Sequence, residues 1–252
     1  MVRIDDDDDL REVTLDRPER RNALTPAALS DLADAVADTD APVVYLRGAG
    51  EAFCAGADLS VVAELADDGD IESFVRRGQA TADAIASASS VVVAGVDGPA
   101  RGGGVELALA CDLRVATTDS EFGFPEIDLG LIPGGGGTQR TVRMVGDARA
   151  KELIYRGNRI SAERAEDWGL INRAVEPESF EEVVGEFVGD IVTGPPIALR
   201  KAKRVITRGR DQDLSAGLEL ESQAFGILLE TDDMMEGAEA FMADRDPEFE
   251  GK

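Results

Sequence analysis

Histidine is absent from this chain of 252 residues, and cysteine occurs only twice. The absence of histidine excludes Ser-His-Asp and Cys-His catalytic centres, HExxH zinc sites and any switch driven by histidine protonation. Cys54 and Cys111 lie among small apolar residues, and two cysteines make neither a disulfide scaffold nor a metal cluster. We interpret them as buried thiols in a reducing cytoplasm. Acid–base chemistry must therefore come from carboxylates, lysine, arginine, tyrosine, thiols or backbone groups.

Positive charge is also scarce. The chain has 26 Lys and Arg against 51 Asp and Glu, which gives a formal net charge of −25. Nucleic acid and anionic membrane surfaces are therefore disfavoured as partners, because binding them depends on neutralising phosphate with basic side chains. Self-repulsion at this charge destabilises a compact fold in dilute buffer, and salt screens it. The composition therefore predicts a salt-rich cytoplasm, as in a halophile.

Long apolar runs are missing as well. No run approaches the length of about 18 residues that a membrane-spanning helix needs. The first residues, MVRIDDDDD, show no apolar segment of a secretory signal. We therefore expect a cytoplasmic protein without a membrane partner, and the 43% apolar content is sufficient for one full core.

Strand-like and helix-like segments alternate along most of the chain, which predicts an α/β fold with largely parallel strands. We expect a strand hairpin around the aspartate run at residues 5–9, and a mobile acidic stretch before a helix that begins near Asp70. Gly194-Pro195-Pro196 is the clearest break, and everything after it has a helical pattern. We therefore divide the chain into a core (residues 1–194) and a C-terminal helical region (residues 195–252). Further buried strands are expected at 42–48, 91–96 and 112–117, and a helix at 26–38.

Two glycine blocks each precede a helix: the first glycine block (residues 102–104) and the second glycine block (residues 134–137). Neither contains the dinucleotide fingerprint GxGxxG or the Lys-Ser/Thr pair of a P-loop. The first block would present unpaired N–H groups at the positive end of a helix dipole, where an anionic oxygen is stabilised. The loop Ala55-Gly56-Ala57 lacks bulk and could bring a second N–H close, to complete an oxyanion hole. Alternatively, these glycines only let a helix pack closely on the sheet.

Two glutamates stand beside the glycine blocks. Glu106 lies in the first turn of an otherwise apolar helix, where an ionisable group must face a cavity or be paired. Glu126 lies in the loop FGFPEIDLGLIPGGGG beside the second glycine block. Two carboxylates at one apolar cleft cannot both ionise freely, which suits a general acid and a general base at neutral pH. Alternatively, Glu106 caps a helix end and Glu126 is a solvated loop residue.

The chain resembles the crotonase superfamily, the enoyl-CoA hydratase/isomerase family, over nearly its whole length. The resemblance implies a spiral of ββα units and a C-terminal helical region that forms trimers, often paired into hexamers. Five ordered segments and the C-terminal residues 230–249 carry it. The five are LDRPERRNAL (15–24), AFCAGADL (52–59), DGPARGGGVELALACDLRVA (97–116), FGFPEIDLGLIPGGGGTQR (122–140) and GNRISAERAEDWGLINRAV (157–175).

The resemblance also implies roles for particular residues. It places the oxyanion-hole amides, which would hold the thioester carbonyl of an acyl-CoA, on Ala55 and Gly103. Glu106 and Glu126 fall on the two catalytic glutamates of the hydratases. Gly134 matches the glycine that helps to orient the water or the substrate.

Contacts with coenzyme A are implied less directly. Asp58 follows the first oxyanion loop, where the family approaches the pantetheine, and Gly56 and Ala57 belong to that loop. The lysines that many relatives use near the CoA phosphates are scarce here. The arginines that could replace them, unless they are solvated surface residues, are Arg20, Arg21 and Arg245. Arg101, just before the first glycine block, departs from the family pattern.

Our hypothesis from the sequence is reversible hydration of a trans-2-enoyl-CoA to a 3-hydroxyacyl-CoA. Glu106 would activate the water and Glu126 would protonate the α-carbon. No metal or redox cofactor is expected, because CoA arrives as part of the substrate. An enoyl-CoA isomerase, which can work with one glutamate, or another crotonase-type reaction on acyl-CoA is the alternative. A non-catalytic acyl-CoA-binding subunit is disfavoured by the two glutamates, and an RNA-associated relative by the net charge of −25.

Overall fold

The computed structural model describes residues 1–7 and 9–252 and confirms the predicted α/β architecture. The six strands of the main sheet are, in spatial order, β1 (Val2–Asp7), β2 (Leu10–Leu15), β3 (Val43–Gly48), β4 (Val91–Val96), β6 (Leu113–Thr117) and β9 (Arg173–Val175). β1 is antiparallel to β2, and the other neighbours are parallel. The N-terminal hairpin is therefore present as predicted; Asp8, within the aspartate run, lies outside the described residues.

A second, smaller sheet was not predicted. It consists of β5 (Ala100–Arg101), β7 (Glu121–Gly123) and β8 (Arg159–Ser161), with β5 parallel and β8 antiparallel to the central β7. Strands this short show no periodic alternation that a sequence could reveal. The small sheet matters for the site, because the Gly102 N–H, just after β5, donates to the Gly123 carbonyl oxygen at 2.9 Å.

Eight α-helices precede the Gly194-Pro195-Pro196 break in the described chain. They are α1 (Pro26–Ala37), α2 (Leu59–Asp67), α3 (Ile71–Ser87), α4 (Gly103–Ala110), α5 (Gly137–Val145), α6 (Asp147–Arg156), α7 (Ala162–Trp168) and α8 (Phe180–Val192). α1 begins as expected, with Thr25 accepting a hydrogen bond from the Ala28 N–H. α2 corrects the expectation of a mobile stretch: Val61, Val62 and Leu65 place apolar side chains along one side of a helix.

The core occupies both faces of the main sheet. Along β3, Val44 and Leu46 face the helices α1, α3 and α4, whereas Val43 and Tyr45 face α8. This alternation explains why β3 and β4 are almost continuously apolar, as strands covered on both faces are. Both cysteines are free and buried, and burial raises the pKa of each thiol to about 12.

Three helices follow the Gly194-Pro195-Pro196 break, as predicted: α9 (Pro196–Gly209), α10 (Leu214–Leu228) and α11 (Asp232–Ala243). α9 packs on the core through Lys203, a buried ammonium that pairs with Asp112 at 2.7 Å. α10 has no buried residue, and Phe225 on it is 64% exposed. The domain boundary at residue 194 stays a prediction. No helix of the described chain is both long and apolar enough to cross a membrane.

Candidate active site

The first glycine block forms the start of α4. Gly102 precedes the helix with a φ of +48°, a conformation that residues with a side chain rarely adopt. Gly104 lies so close to the backbone of Cys54 that a β-carbon would overlap the Cys54 carbonyl oxygen. Between them, the Gly103 N–H has no acceptor within residues 1–7 and 9–252. A free donor therefore stands at the positive end of the α4 dipole.

The second free amide belongs to Ala57, and the prediction of Ala55 is wrong. The Ala55 N–H donates to the Arg21 carbonyl oxygen at 2.9 Å, so it is not available to a ligand. The Ala57 N–H has no acceptor in the described part of the chain. A β-carbon on Gly103 would lie 3.7 Å from the Ala57 nitrogen, which places the two free amides side by side.

A short parallel bridge explains why Ala57 rather than Ala55 is free. The Gly56 carbonyl oxygen accepts from the Leu24 N–H at 2.8 Å, and the Asp58 N–H donates to the Leu24 carbonyl oxygen at 2.9 Å. In a parallel ladder, the residue between two such groups directs its own N–H to the opposite side. Ala57 occupies that position, so its N–H faces away from Leu24.

Glu106 lies one turn inside α4 and is only 7% exposed. Its Oε1 accepts a 2.7 Å hydrogen bond from the Gly137 N–H, and its Oε2 would lie 2.8 Å from a β-carbon on Gly135. Burial raises the pKa of Glu106, and the amides of the second glycine block and the charge of Arg140 oppose that rise. The carboxylate therefore caps the start of α5, as one interpretation of the sequence held, and it also lines the adjoining cavity.

Glu126 lies on the short 3₁₀ helix Pro125–Leu129 and is half-buried rather than solvated. Its Oε2 is buried and has no hydrogen-bond partner among the described residues. Burial raises the pKa of Glu126 to about 7; its own backbone amide opposes the rise, and the negative charge of Glu106 adds to it. Of the two carboxyls, Glu126 therefore has fewer groups that stabilise its ionised form.

A cavity of about 420 Å³ brings these groups together. Glu106, Glu126, Ala57 and Gly103 all line it, as does Gly134. The rest of its wall is mostly apolar, and much of it comes from one face of α3: Ile71, Phe74, Val75, Gly78 and Ala82. Two carboxyls and two free amides in the wall of one apolar pocket suit a substrate with a polar reacting group and an apolar tail.

Two residues that the sequence predicted at the substrate, Gly56 and Asp58, do not line the cavity. Gly56 does not line the cavity; it lies behind the wall, where a β-carbon would be 2.7 Å from the Arg101 carbonyl oxygen. The Asp58 carboxylate is buried and pairs with Arg17 at 3.3 Å and Arg20 at 3.4 Å. Asp58 therefore anchors arginines and does not line the cavity, and its contact with the substrate stays a prediction.

The arginines singled out from the sequence have different surroundings. Arg20 is exposed and held by Asp58, and Arg21 is exposed without a carboxylate partner in the described chain. Arg245 forms a two-pronged pair with Glu236 at 2.6 and 2.8 Å. Arg101 points to the small sheet, where it pairs with Glu121 at 2.7 Å.

Three features of the site were missed from the sequence. These are the cavity-lining face of α3 and the contacts of Gln79 and Arg140 with the second glycine block. The α3 face could have been found, because Phe74, Gly78 and Ala82 recur every four residues on a helix. Nothing in the spacing of Gln79 and Arg140 indicates that they meet the same loop. In the described chain, no three Cys, Asp or Glu side chains are grouped as a metal site would require.

Comparison with known proteins identifies the family. The model of the family described as enoyl-CoA hydratase/isomerase matches residues 6–252. The enoyl-CoA isomerase/hydratase fer4 of Mycosarcoma maydis is 40% identical over 95% of this chain and 92% of its own length. The short-chain-enoyl-CoA hydratase of Clostridium acetobutylicum is 37% identical over 92% and 91%. The crystal structure of enoyl-CoA hydratase from Bacillus anthracis superposes with a TM-score of 0.95 at 38% identity, covering 100% of this chain and 99% of that one.

The agreement covers sequence and fold together. The matched structure includes both the mixed sheet region and the helical C-terminal region, so the predicted crotonase-like architecture is confirmed. Fer4 and the Clostridium hydratase match this chain along 92% and 91% of their own length. The chain therefore belongs to the enoyl-CoA hydratase/isomerase family, the enzymes of the crotonase superfamily.

Proposed function

We propose that this chain catalyses the reversible addition of water to a trans-2-enoyl-CoA, which gives a 3-hydroxyacyl-CoA. One observation carries the proposal: the two carboxyls of the cavity have unequal partners. Glu106 accepts the Gly137 N–H, whereas Glu126 Oε2 has no partner in the described chain. The first arrangement suits an ionised base, and the second suits an acid that keeps its proton near neutral pH.

The amides would act on the thioester. Its carbonyl oxygen would accept hydrogen bonds from the N–H groups of Ala57 and Gly103, which stabilise the negative charge that develops there during addition. The pair replaces the one inferred from the sequence, because the Ala55 amide is engaged by Arg21. With the carbonyl fixed, C2 and C3 of the enoyl group lie between the two carboxyls.

The proton transfers then balance. Glu106 takes a proton from the water as the water oxygen bonds to C3. The electron pair of the C2=C3 bond takes up the proton of Glu126 at C2. A proton passes back between the carboxyls before the next cycle, and the reverse sequence dehydrates the hydroxyacyl thioester. Because the carboxyls interact, the pair titrates as a unit.

Neither a metal nor a redox cofactor enters this scheme, because hydration transfers no electrons to an acceptor. Coenzyme A would be part of the substrate, as the names of the relatives indicate for those proteins. We propose Arg20 and Arg21 for its phosphates, since both are exposed and lie at the start of the segment that hydrogen-bonds to the first loop. The cytoplasm stays our prediction for the location of the protein.

An enoyl-CoA isomerase is the second candidate. Isomerisation of a 3-enoyl-CoA to a 2-enoyl-CoA moves a proton from C2 to C4 and can use one carboxyl, and fer4 is named for both activities. Glu126, with its pKa raised to about 7, would suffice for that reaction. We favour hydration because Glu106 is also held at the cavity, where an isomerase would have no need of it.

One assay separates the two candidates. The purified full chain is given crotonyl-CoA and trans-2-dodecenoyl-CoA, and the loss of the conjugated enoyl-thioester absorbance is followed. A 3-enoyl-CoA is the counter-substrate, since isomerisation makes that absorbance appear. We expect loss with the 2-enoyl substrates and a rate reduced by about 10²–10⁴ in Glu106→Gln. A Glu106→Gln variant with the full hydration rate would exclude the two-carboxyl mechanism and favour the isomerase.

We also propose that the chain assembles as a trimer or a dimer of trimers. Large apolar side chains lie exposed on and beside α10 and α11, where a partner copy would cover them: Leu214, Leu218, Phe225, Leu229, Phe241 and Met242. Sedimentation in molar salt should give a multiple of three chains. A monomer under those conditions would contradict the proposal.

A further inference from the structure

The second glycine block is held from outside by two side chains that do not line the cavity. Gln79, on α3, donates from Nε2 to the Gly134 carbonyl oxygen at 2.8 Å. Arg140, on α5, donates from Nη1 to the Gly135 carbonyl oxygen at 3.1 Å. Its Nη2 also pairs with Asp83, one turn beyond Gln79 on α3, at 2.7 Å. Gln79 and Arg140, which we call the clamp, therefore hold the second glycine block between α3 and α5.

The clamp determines where the amides of the block point. In a planar trans peptide, the carbonyl and the following N–H project to opposite sides. Because the Gly134 carbonyl points to Gln79, the Gly135 N–H points to the other side. The Gly135 carbonyl and the Gly136 N–H are related in the same way through Arg140. On that other side stands Glu106, and the amides of both glycines lower its pKa.

A glycine block needs such a clamp. Four consecutive glycines have wide backbone freedom, so the peptide planes would otherwise adopt many orientations. At Gly136 the φ is +113°, and a β-carbon would overlap Arg140 Nη1, so only glycine lets the guanidinium approach. The glycines give the block its backbone freedom, and the lack of a side chain at Gly136 also leaves room for the Arg140 guanidinium, which restricts that freedom.

We propose that Gln79 and Arg140 are positioning residues: they fix two peptide planes of the second glycine block so that its amides hold Glu106 ionised and correctly oriented. The proposal deepens the proposed hydration, in which Glu106 is the base, and it rests on that function only for its kinetic consequences. Its structural consequence, the state of the Glu106 carboxyl, can be measured without turnover.

Two kinds of effect must be separated. The charged groups that face Glu106 in the described chain are Glu126, from the 3₁₀ helix, and Arg140, from α5, with Asp83 of α3 behind Arg140. Loss of Arg140 removes a positive charge as well as a hydrogen bond, and both changes raise the pKa of Glu106. Loss of the Gln79 amide removes only the hydrogen bond. Gln79→Met therefore tests orientation alone, and Arg140→Lys retains the charge but not the two-pronged geometry.

The experiment compares Gln79→Met, Arg140→Met and Arg140→Lys with the control Arg143→Gln. Arg143 lies one turn beyond Arg140 on the same helix, but it pairs with Asp211 and makes no hydrogen bond to the glycine block within the described chain. The first readout is the acidic limb of the pH profile of kcat. The second is a ¹³C NMR titration of the Glu106 carboxyl, assigned with Glu106→Gln.

We expect Gln79→Met and Arg140→Met to move the acidic limb and the carboxyl titration upward by about one pH unit, because an amide of the block that turns away no longer donates to the Glu106 carboxylate. Arg140→Lys should recover part of the shift, and Arg143→Gln should show none. An unchanged titration in Gln79→Met would overturn the proposal, as would an equal shift in Arg143→Gln.

If Arg140→Met fails to fold, Gln79→Met decides, because Gln79 is exposed. If the wild-type chain hydrates nothing, the proposed function fails, while the titration still tests the clamp.

Discussion

Glu126 Oε1 lies against Gly102, the residue that precedes α4, so that a β-carbon on Gly102 would be 2.5 Å from it. The Glu126 carboxyl therefore occupies the space that a side chain at the start of α4 would fill. The same glycine supplies the turn with its φ of +48° and lets the Gly103 amide face the cavity. The positions of the Glu126 carboxyl and the Gly103 amide, the proposed acid and oxyanion donor, therefore both depend on Gly102.

The first prediction follows from this contact. In Gly102→Ala, the new methyl group displaces the Glu126 carboxyl, so hydration should fall by about 10²–10⁴, the usual contribution of one general acid. Backbone strain should also lower the free energy of unfolding by about 1–3 kcal/mol. Gly146→Ala is the matched control: its φ is +82°, and a β-carbon there meets no atom within 4 Å. We expect similar destabilisation in both variants and lost hydration in Gly102→Ala alone; equal activities would contradict the contact.

The second prediction concerns pH. Hydration and dehydration both need one proton on the pair formed by Glu106 and Glu126. Because the pKa of Glu126 is raised to about 7, that proton is lost as the pH rises through this value. The kcat/KM should therefore fall above about pH 7 in both directions. Glu126→Gln should be slower by about 10²–10⁴ and should lack this descending limb. Asp128→Asn, on the same 3₁₀ helix, serves as control; a limb that persists in Glu126→Gln would assign it to another group.

How far the site could be predicted depended on whether its parts are close in sequence. Gly103, Glu106 and Glu126 were recognisable because each belongs to a short segment with its own physical peculiarity, such as a carboxyl in an apolar helix. Ala57 was placed in the first loop, but the free amide was predicted on Ala55, because the direction of each amide depends on the bridge to Leu24, more than 30 positions away in the sequence.

The fold, too, was predictable where the signal lies within one short segment and not where it depends on distant contacts. Strands β3, β4 and β6 were predicted from apolar runs, because both of their faces are covered. The small sheet and the clamp on the second glycine block were not, because their segments are short or distant: Gln79 meets Gly134 across 55 positions. Contacts of this kind are properties of the assembled layers and leave no local pattern.

The third prediction tests the correction from Ala55 to Ala57. Replacing the peptide N–H of either residue by an ester oxygen removes one donor and leaves the side chain intact. At Ala57 we expect kcat to fall by about 10²–10³, because an oxyanion donor is lost. At Ala55 we expect a loss of about 0.5–1.5 kcal/mol of stability, since only the bond to the Arg21 carbonyl is removed. The opposite pattern would restore Ala55 to the oxyanion hole.

The fourth prediction concerns the length of the acyl chain. Gly78 lies in the middle of α3 and lines the cavity, although glycine there costs about 0.5–1 kcal/mol of stability relative to alanine. A β-carbon on it would be 3.9 Å from the nearest atom, the Gly135 Cα, so a side chain fits without disturbing the backbone. Gly78→Val should therefore fold and fill part of the pocket.

The measurement is kcat/KM across a series of trans-2-enoyl-CoA chain lengths. We expect Gly78→Val to lose activity on the longer chains and to retain it on crotonyl-CoA. Gly185→Val, on α8, is the control, because a β-carbon there meets no atom within 4 Å and Gly185 does not line the cavity. A uniform loss at all lengths would show that Gly78 does not lie along the acyl chain.

The fifth prediction concerns salt. With a net charge of −25, repulsion between carboxylates outweighs the exposed ion pairs, each of which contributes only about 0–1 kcal/mol. Raising the salt concentration shortens the screening length from about 10 Å at 0.1 M to about 3 Å at 1 M. The melting temperature should therefore rise as KCl increases from millimolar to molar, and NaCl at equal ionic strength should act alike.

In the double variant Asp67→Asn, Asp68→Asn, two exposed charges are removed with little change of shape. This variant should melt higher than the wild type at low salt and by a smaller margin at molar salt; a margin that does not depend on salt would show that charge repulsion is not the cause.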